Sequence, residues 1–473
     1  MDKKRRERAR GWRGSGDRES RVEDSLPARR SVAEARLPQE IPMRQHSKKA
    51  GYLGNGEHRG RSSLLRHPVF KRTFSAYSLA VFGDWFDVIA IQVLIGYRWQ
   101  VSAMEIALVP VSMAVPGILL GTVAGVVTDR LDRLKLMRVC DLLTAMATLA
   151  LLWAPSIGWL LPILALRAAL GTFNVPAQQA LTRQVLREEN LLDASSLNGL
   201  VGQLSRVAGP LLGAALLALV SPQACIAVNA AARLLSYGIL KTMPRGAAAM
   251  AAAEAAPEQA KTPAQSGSAK PPFFAALREG WQFVRRTRML RNLLLFAFLG
   301  MLVIQTIDFQ FVSLIRVISP HDEGALGWLL ASSGLAAAGM TAANMKLARL
   351  RSASWGMKLG SSYTLLGLSI GLLGLIPPGA PTSALLLAGI LLGAGNGLFM
   401  VTFNVMLQQH TPPAMIGRIF GIQNTLLGTV MIVAPPLGGG LVQHFGPALV
   451  FVLAGLFVLL LGLLGLMFRR TFW

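Results

Sequence analysis

Two carboxylates, Asp84 and Asp87, stand one helical turn apart in VFGDWFDVIAIQVLIGY, residues 81–97, a stretch otherwise apolar enough to lie in a membrane. An ionised side chain at bilayer depth is costly, so such a group is buried against a partner or a water-filled cavity, where it can hold or relay a proton. Asp84 lies about 11 residues into its apolar segment, which at about 1.5 Å per residue places it near the middle of a hydrocarbon core about 30 Å thick. Arg167, Arg206, Arg233 and Asp308 lie well inside other apolar segments. Three acids and three bases at comparable depth admit two readings. They form ion pairs that hold helices in register, or some of them bind protons or substrate. Trp85, Phe86, Phe309 and Phe311 sit beside the acids, where they can pack against a large apolar substrate or simply against lipid and neighbouring helices. Spacing alone does not say which acid meets which arginine.

The elements that must carry these residues are membrane-spanning helices. The chain has 473 residues, 52% of them hydrophobic and only 15% charged, poorer in charge than a soluble domain. Apolar segments long enough to cross a bilayer recur at 73–97, 105–127, 136–155, 157–178, 193–220, 222–243, 292–317, 324–347, 356–377, 382–409, 416–442 and 446–468. The expected fold is an all-α membrane protein of twelve transmembrane helices in two six-helix halves, residues 73–243 and 292–470. A basic, disordered tail, 1–72, precedes them, and a linker, 244–291, joins them. Within the linker, 246–272 is of low complexity, and Phe273, Leu277, Trp281 and Val284 share one face of an expected amphipathic surface helix.

A net charge of +23 would suggest nucleic acid in a soluble protein, but its placement argues otherwise. Of the 47 Lys and Arg, 20 precede span 1 and 22 lie in or beside the even-numbered connections and the C-terminal tail; only Arg98 and Arg316 sit near the opposite side. The positive-inside rule therefore places both termini in the cytoplasm. Cys140 and Cys225 fall on opposite sides of the membrane in this topology, so no disulfide is expected between them. No Cys/His cluster has metal-ligand spacing, no cofactor is implied, and no cleavable signal peptide is visible.

The two halves echo each other. Span 4 ends in GTFNVPAQQALT and span 10 in GLFMVTFNVMLQQHT, so Asn174, Gln178 and Gln179 match Asn404, Gln408 and Gln409. AGPLLGAAL in span 5 likewise matches APPLGGGL in span 11. Two matches in register indicate an internal repeat, the pattern of transporters whose substrate site lies between repeats.

After span 2 stands GVVTDRLDRLK, with Gly125, Asp129, Arg130, Arg133 and Lys135. Here Gly125 can let helices approach, Asp129 can cap a helix or pair with a base, and the bases anchor the turn. The spacing resembles the loop 2–3 signature of the major facilitator superfamily, G-x-x-x-D-R-x-G-R-R/K, with Asp132 in place of the usual glycine and Leu134 in place of a base. Arg167 and Gly171 of span 4 resemble its R-x-x-q-G pattern, and Gly209, Pro210 and Gly213 of span 5 resemble the G-P-x-x-G-G motif of drug/proton antiporters. A glycine–proline pair kinks a helix and lets a neighbour pack tightly. FNVPAQQALTRQVLREENLLDASSLNGL and LREGWQFVRRTRMLRNLLL look like the branch of enterobactin exporters and macrolide efflux proteins, the transmembrane secretion effectors; the likeness runs from residue 68 to 470.

That resemblance implies a bacterial inner-membrane exporter alternating between inward-open and outward-open states, with helices 1, 4, 7 and 10 lining its cavity. The expectation is proton-coupled efflux of a small amphiphilic compound, such as a macrolide-like drug or a siderophore, by an antiporter that can confer antibiotic resistance. The partners are then substrate, protons and lipid, and the chain is expected to act as a monomer. Asp84, Asp87, Arg167, Arg206 and Asp308 are the candidates for coupling or substrate binding, with Trp85, Phe86, Asn174 and Asn404 as possible substrate contacts. A facilitator or lysolipid flippase of the same fold, and a non-transporting sensor or assembly factor, are the alternatives. The chain has no G-x-x-x-x-G-K-[ST] loop for ATP and no nucleophile–His–acid set, so neither a primary pump nor an enzyme is expected.

Overall fold

A computed structural model of the protein describes residue 64 and residues 67–186, 188–244, 273–347, 355–412 and 415–468. Residues 1–63, 65 and 66 of the basic tail, the 246–272 linker, the span 8–9 turn and the last five residues lie outside the described residues, as does the side chain of Arg206.

The described chain is helical throughout. α1 (Pro68–Val93) continues through a π-helical turn, Leu94–Arg98, and is followed by α2 (Ala103–Arg130), α3 (Arg133–Ala150), α4 (Ile157–Val185), α5 (Glu188–Leu219) and α6 (Pro222–Lys241). These are spans 1 to 6. The linker helix is α7 (Phe273–Arg286); span 7 is α8 (Arg288–Asp308) with α9 (Phe311–Ile318); spans 8 to 12 are α10 (Ala325–Leu347), α11 (Trp355–Leu375), α12 (Thr382–Gln409), α13 (Ile416–Phe445) and α14 (Pro447–Met467). Ten of the described helices are both long and apolar enough to cross a membrane. The helices of spans 5 and 9, of 32 and 21 residues, also have the length but carry more polar residues. Helices suit this role because lipid offers backbone groups no partner, so each segment must satisfy its own.

Local sequence fixes where the helices begin. Ser102 and Glu105 form a reciprocal capping box at the start of α2, Ser221 caps α6, and Pro222 and Pro447 occupy first turns, where a missing N–H costs nothing. Asp132 caps α3, its Oδ1 accepting from the Leu134 and Lys135 amides at 3.0 and 3.1 Å. The carboxylate that stands where the family's pattern has glycine is thus the helix cap, the role allowed above for Asp129, whose own side chain is exposed. Span 7 was expected as one helix, but it is interrupted after Asp308. The buried Gln310 at the interruption donates to the Ala103 carbonyl of the first half at 2.8 Å, fixing the break against span 2.

Packing repeats between the two sets of six. α1 lies on α5 and α6, α2 on α4, and α3 on α4 and α6; correspondingly α8 lies on α13 and α14, α10 on α12, and α11 on α12 and α14. The sets meet through α2 with α13 and α5 with α10, which are equivalent pairs under the repeat. Glycines at this seam allow backbones to close up: a Cβ on Gly439 would come within 2.8 Å of the Ala103 carbonyl oxygen, and one on Gly334 within 3.1 Å of the Leu211 Cβ.

Among the described residues, the apolar core shared by the two sets lies at one end. There a single apolar core combines Val93, Ile95 and Tyr97 with Val312, Ile315 and Ile318. Arg316 donates to the Gly96 carbonyl at 2.9 Å, Tyr97 to the Ser319 carbonyl at 3.2 Å, and Arg98 pairs with Glu323 at 3.6 Å. At the other end, which bears the basic connections, the apolar cores of the described residues belong to one set each: Val69, Met137, Leu181 and Leu240 in the first, Leu290, Tyr363, Met406 and Ile419 in the second. Among the described residues the two sets are therefore joined at the end that carries Arg98 and Arg316 and parted at the basic end.

Candidate functional site

The intramembrane acids are brought together with two arginines by four helices of the first set. Asp84 and Asp87 project from α1, Asp141 from α3, Arg167 from α4 and Arg233 from α6. Arg167 donates to Asp87 Oδ2 at 2.6 Å and lies 3.7 Å from Asp84 Oδ1. Arg233 donates to Asp84 Oδ2 at 2.5 Å and lies 3.4 Å from Asp141 Oδ1. Asp84 thus links two pairs that would otherwise be separate.

Neutral donors complete the buried carboxylates. Asn229 gives Asp87 Oδ2 a second hydrogen bond at 2.7 Å; Asn174 donates to Asp141 Oδ1 at 2.8 Å and Ser236 to Asp141 Oδ2 at 2.6 Å. These bonds offset part of the cost of taking ions from water, since an unpaired buried charge is far more costly than a paired one, while Asp84 Oδ1, Asn229 Oδ1 and Arg233 Nε are shielded without a hydrogen bond among the described residues. Gly83 makes the approach possible: a Cβ there would lie 2.9 Å from Ala232 and from Asn229 Oδ1, so α1 and α6 meet closely beside the acids.

Exposure divides the cluster. Side chains of Asp87 and Asp141 are 2% and 3% exposed, and those of Arg167 and Arg233 are 12% and 13%, whereas Asp84 is 41% exposed. With every group ionised, three carboxylates face two guanidiniums, leaving one negative charge among the described residues. One proton brings the cluster to neutrality without unpairing an arginine. Asp84 is the bridging member of the cluster and the one with the most exposed side chain.

Several sequence expectations are reshaped. Asp308 does not join the cluster; it stands at the α8 terminus in the other set, with no ion pair among the described residues. Trp85 is occupied in packing: its ring lies against Gly209, where any Cβ would overlap it, and its carbonyl oxygen would be 2.6 Å from a Cβ on Gly213. The Gly209–Pro210–Gly213 segment of α5 therefore seats α1. Phe86 is half-buried, and Phe311 packs edge-on to Phe451 with ring centroids 5.2 Å apart. Asn174 serves the charge cluster, whereas Asn404, its repeat partner, donates to the Met400 carbonyl of its own helix at 2.8 Å. Gly125 is not a point of close approach, since a Cβ there would meet nothing within 4 Å. Of the basic residues after span 2, Arg130 is exposed, Arg133 donates to Gln184 at 2.5 Å, and Lys135 is 4.0 Å from Asp132.

Asp141, Asn229 and Ser236 escaped the sequence reading. A signal for two of them was present, because Asn229, Arg233 and Ser236 recur at helical spacing on α6 and so share one polar stripe in an apolar span. Asp141 lies early in span 3, where it reads as a residue of the helix end.

Known proteins agree with this architecture. The sequence profile of the Major Facilitator Superfamily matches residues 73–435 and 321–471. An uncharacterized MFS-type transporter of Bacillus subtilis, YfiS, is 28% identical over 423 residues, covering 86% of this chain and 96% of its own. The enterobactin exporter EntS of Escherichia coli is 28% identical over 437 residues, covering 87% and 95%. Among solved structures, the bacterial homologue of the human lysosomal transporter Spinster, inward-facing and unoccupied, superposes with a TM-score of 0.61 at 13% identity over 87% of this chain and 98% of its own. The nucleoside transporter NupG gives 0.59 at 13% identity over 86% and 100%. Helix content, the repeated packing of two sets of six and these matches lead to one assignment: the chain is a membrane transporter belonging to the Major Facilitator Superfamily.

Proposed function

We propose that this transporter is a proton-coupled exporter of a small amphiphilic compound, working by alternating access in a bacterial inner membrane with both termini in the cytoplasm. The observation that carries the reading is the unequal charge cluster, in which half-exposed Asp84 bridges two partly buried arginines that already hold carboxylates of their own. A proton arriving at Asp84 loosens its hold on Arg167 and Arg233, and a change in the packing of α1 against α4 and α6 follows from that loss. The placement of bases supports assigning the parted end to the cytoplasm, and on this reading the structure is a state open to the cell interior. The likeness to an enterobactin exporter supports outward transport. In the opposite state the Asp129–Arg130 turn, free at the parted end here, would close that end, with Arg133 and Lys135 beside it. Asp308 is the second candidate for a coupling proton.

Inverted membrane vesicles test the reading. An imposed proton gradient should drive uptake of an exported compound in wild type, and a protonophore should reduce it to equilibration. Asp84→Asn should stay in the membrane, lose the gradient-driven component and retain exchange down the substrate gradient. Gradient-driven uptake equal to wild type in that variant would remove Asp84 from coupling, and equilibration alone in wild type would make the protein a facilitator.

A further inference from the structure

The second set of helices contains a cleft of a different chemical kind. It lies between α8, α12 and α13 and encloses about 610 Å³ of empty space, its open mouth included. Phe298 and Met301 of α8, Met400 and Phe403 of α12, and Leu426 and Val430 of α13 form its apolar wall, and among the described residues no charged side chain lines it. The lining occupies the middle third of α8, the first half of α13 and the last part of α12.

Two polar side chains face the cleft, Asn404 and Gln423. Asn404 uses its amide N–H on the Met400 carbonyl, but the Gln423 Oε1 is shielded from solvent and accepts no hydrogen bond. A shielded amide oxygen without a donor is unfavourable, and a ligand that brings an N–H or O–H relieves it. Comparison across the repeat sharpens the point. Asn174 completes a charge cluster in the first set, whereas the equivalent Asn404 stands beside aromatic rings and methionines with no ion near it. Methionine side chains are flexible and polarisable, suited to apolar ligands of varied outline.

We propose that this cleft is a ligand subsite for an uncharged lipophilic molecule that donates one hydrogen bond to Gln423 Oε1. The inference rests on the transport reading and adds the chemical class of the compound. A charged ligand would lose its hydration there with no counter-charge in return, which the uniformly neutral lining does not offset.

Three dyes of one skeleton test it: N-phenyl-1-naphthylamine, uncharged with one N–H; its N-methyl derivative, which lacks that donor; and 1-anilino-8-naphthalenesulfonate, which keeps the N–H but adds a charge. Their affinities for the purified, full-length protein are read by fluorescence titration with empty micelles as the blank. The uncharged amine should bind about tenfold or more tighter than the sulfonate and about fivefold tighter than the N-methyl compound. Gln423→Leu should abolish the advantage of the amine over its N-methyl derivative while leaving the latter within about twofold of wild type. Met400→Trp, at a half-exposed position where a larger ring extends into the cleft, should weaken both uncharged dyes about tenfold or more. Equal binding of amine and sulfonate, an unchanged preference in Gln423→Leu, or unchanged binding in Met400→Trp would each overturn the assignment. Binding does not require a gradient, so lost proton-driven uptake with these affinities intact would fault the transport reading alone.

Discussion

Asp84 and Asp87 have the same chemistry and neighbouring positions, yet the structure predicts opposite consequences for removing them. Asp87 is 2% exposed and holds Arg167 at 2.6 Å and Asn229 at 2.7 Å. Asp87→Ala leaves the 12%-exposed Arg167 with only Asp84, 3.7 Å away and already bonded to Arg233. Breaking a buried pair from one side costs about 3–5 kcal/mol. In Asp84→Ala, by contrast, Arg167 keeps Asp87 at 2.6 Å and Arg233 keeps Asp141 at 3.4 Å. A half-exposed carboxylate whose partners have other counter-ions contributes about 1 kcal/mol or less to stability. The difference is about 2 kcal/mol or more, roughly 30-fold in the folded-to-unfolded ratio at about 1.4 kcal/mol per factor of ten. Membrane abundance and thermal stability of the purified variants measure it. Asp84→Ala should accumulate close to wild type and Asp87→Ala should be strongly depleted. Equal stability of the two, or a greater loss for Asp84→Ala, would refute the division into a buried, fold-supporting carboxylate and a half-exposed bridge.

Other consequences of the packing are equally direct. Gly209→Val should destabilise by about 1–3 kcal/mol because its side chain overlaps the Trp85 ring; Trp85→Leu in the same chain should recover part of the loss in a double-mutant cycle on thermal stability. Arg316→Ala deletes the hydrogen bond to the Gly96 carbonyl and should weaken the closed end by about 1 kcal/mol, about a fivefold shift toward its open form. Spin labels at exposed positions 100 and 321 should then report a larger long-distance population. Asp132→Ala should cost about 0.5–2 kcal/mol through the lost α3 cap, whereas Asp129→Ala should leave thermal stability unchanged, since its exposed side chain has no partner among the described residues.

The spanning segments, the repeat and the distribution of charge along the chain are legible in the order of residues alone. Each of these is local: a bilayer demands runs of about 20 apolar residues that satisfy their own backbone, and the basic connections sit between runs where composition reveals them. Motif spacing carried the family for the same reason, because GVVTDRLDRLK and the matched Asn174 and Asn404 are contiguous patterns. It also located Asp84, Asp87, Arg167 and Arg233 at comparable depth, but depth gives only one of the three coordinates a contact needs. Helix rotation and tilt, set by close approaches such as Gly83 against Ala232 and Gly209 against Trp85, decided that Arg167 takes Asp87 and that Arg233 takes Asp84. They also brought in Asp141 and left Asp308 outside. The interruption of span 7 depends on Gln310 reaching Ala103, more than 200 residues away in the chain. Which end of the bundle is closed is still less local. It is a choice between two packings of the same helices, and only the summed contacts between the two sets make it.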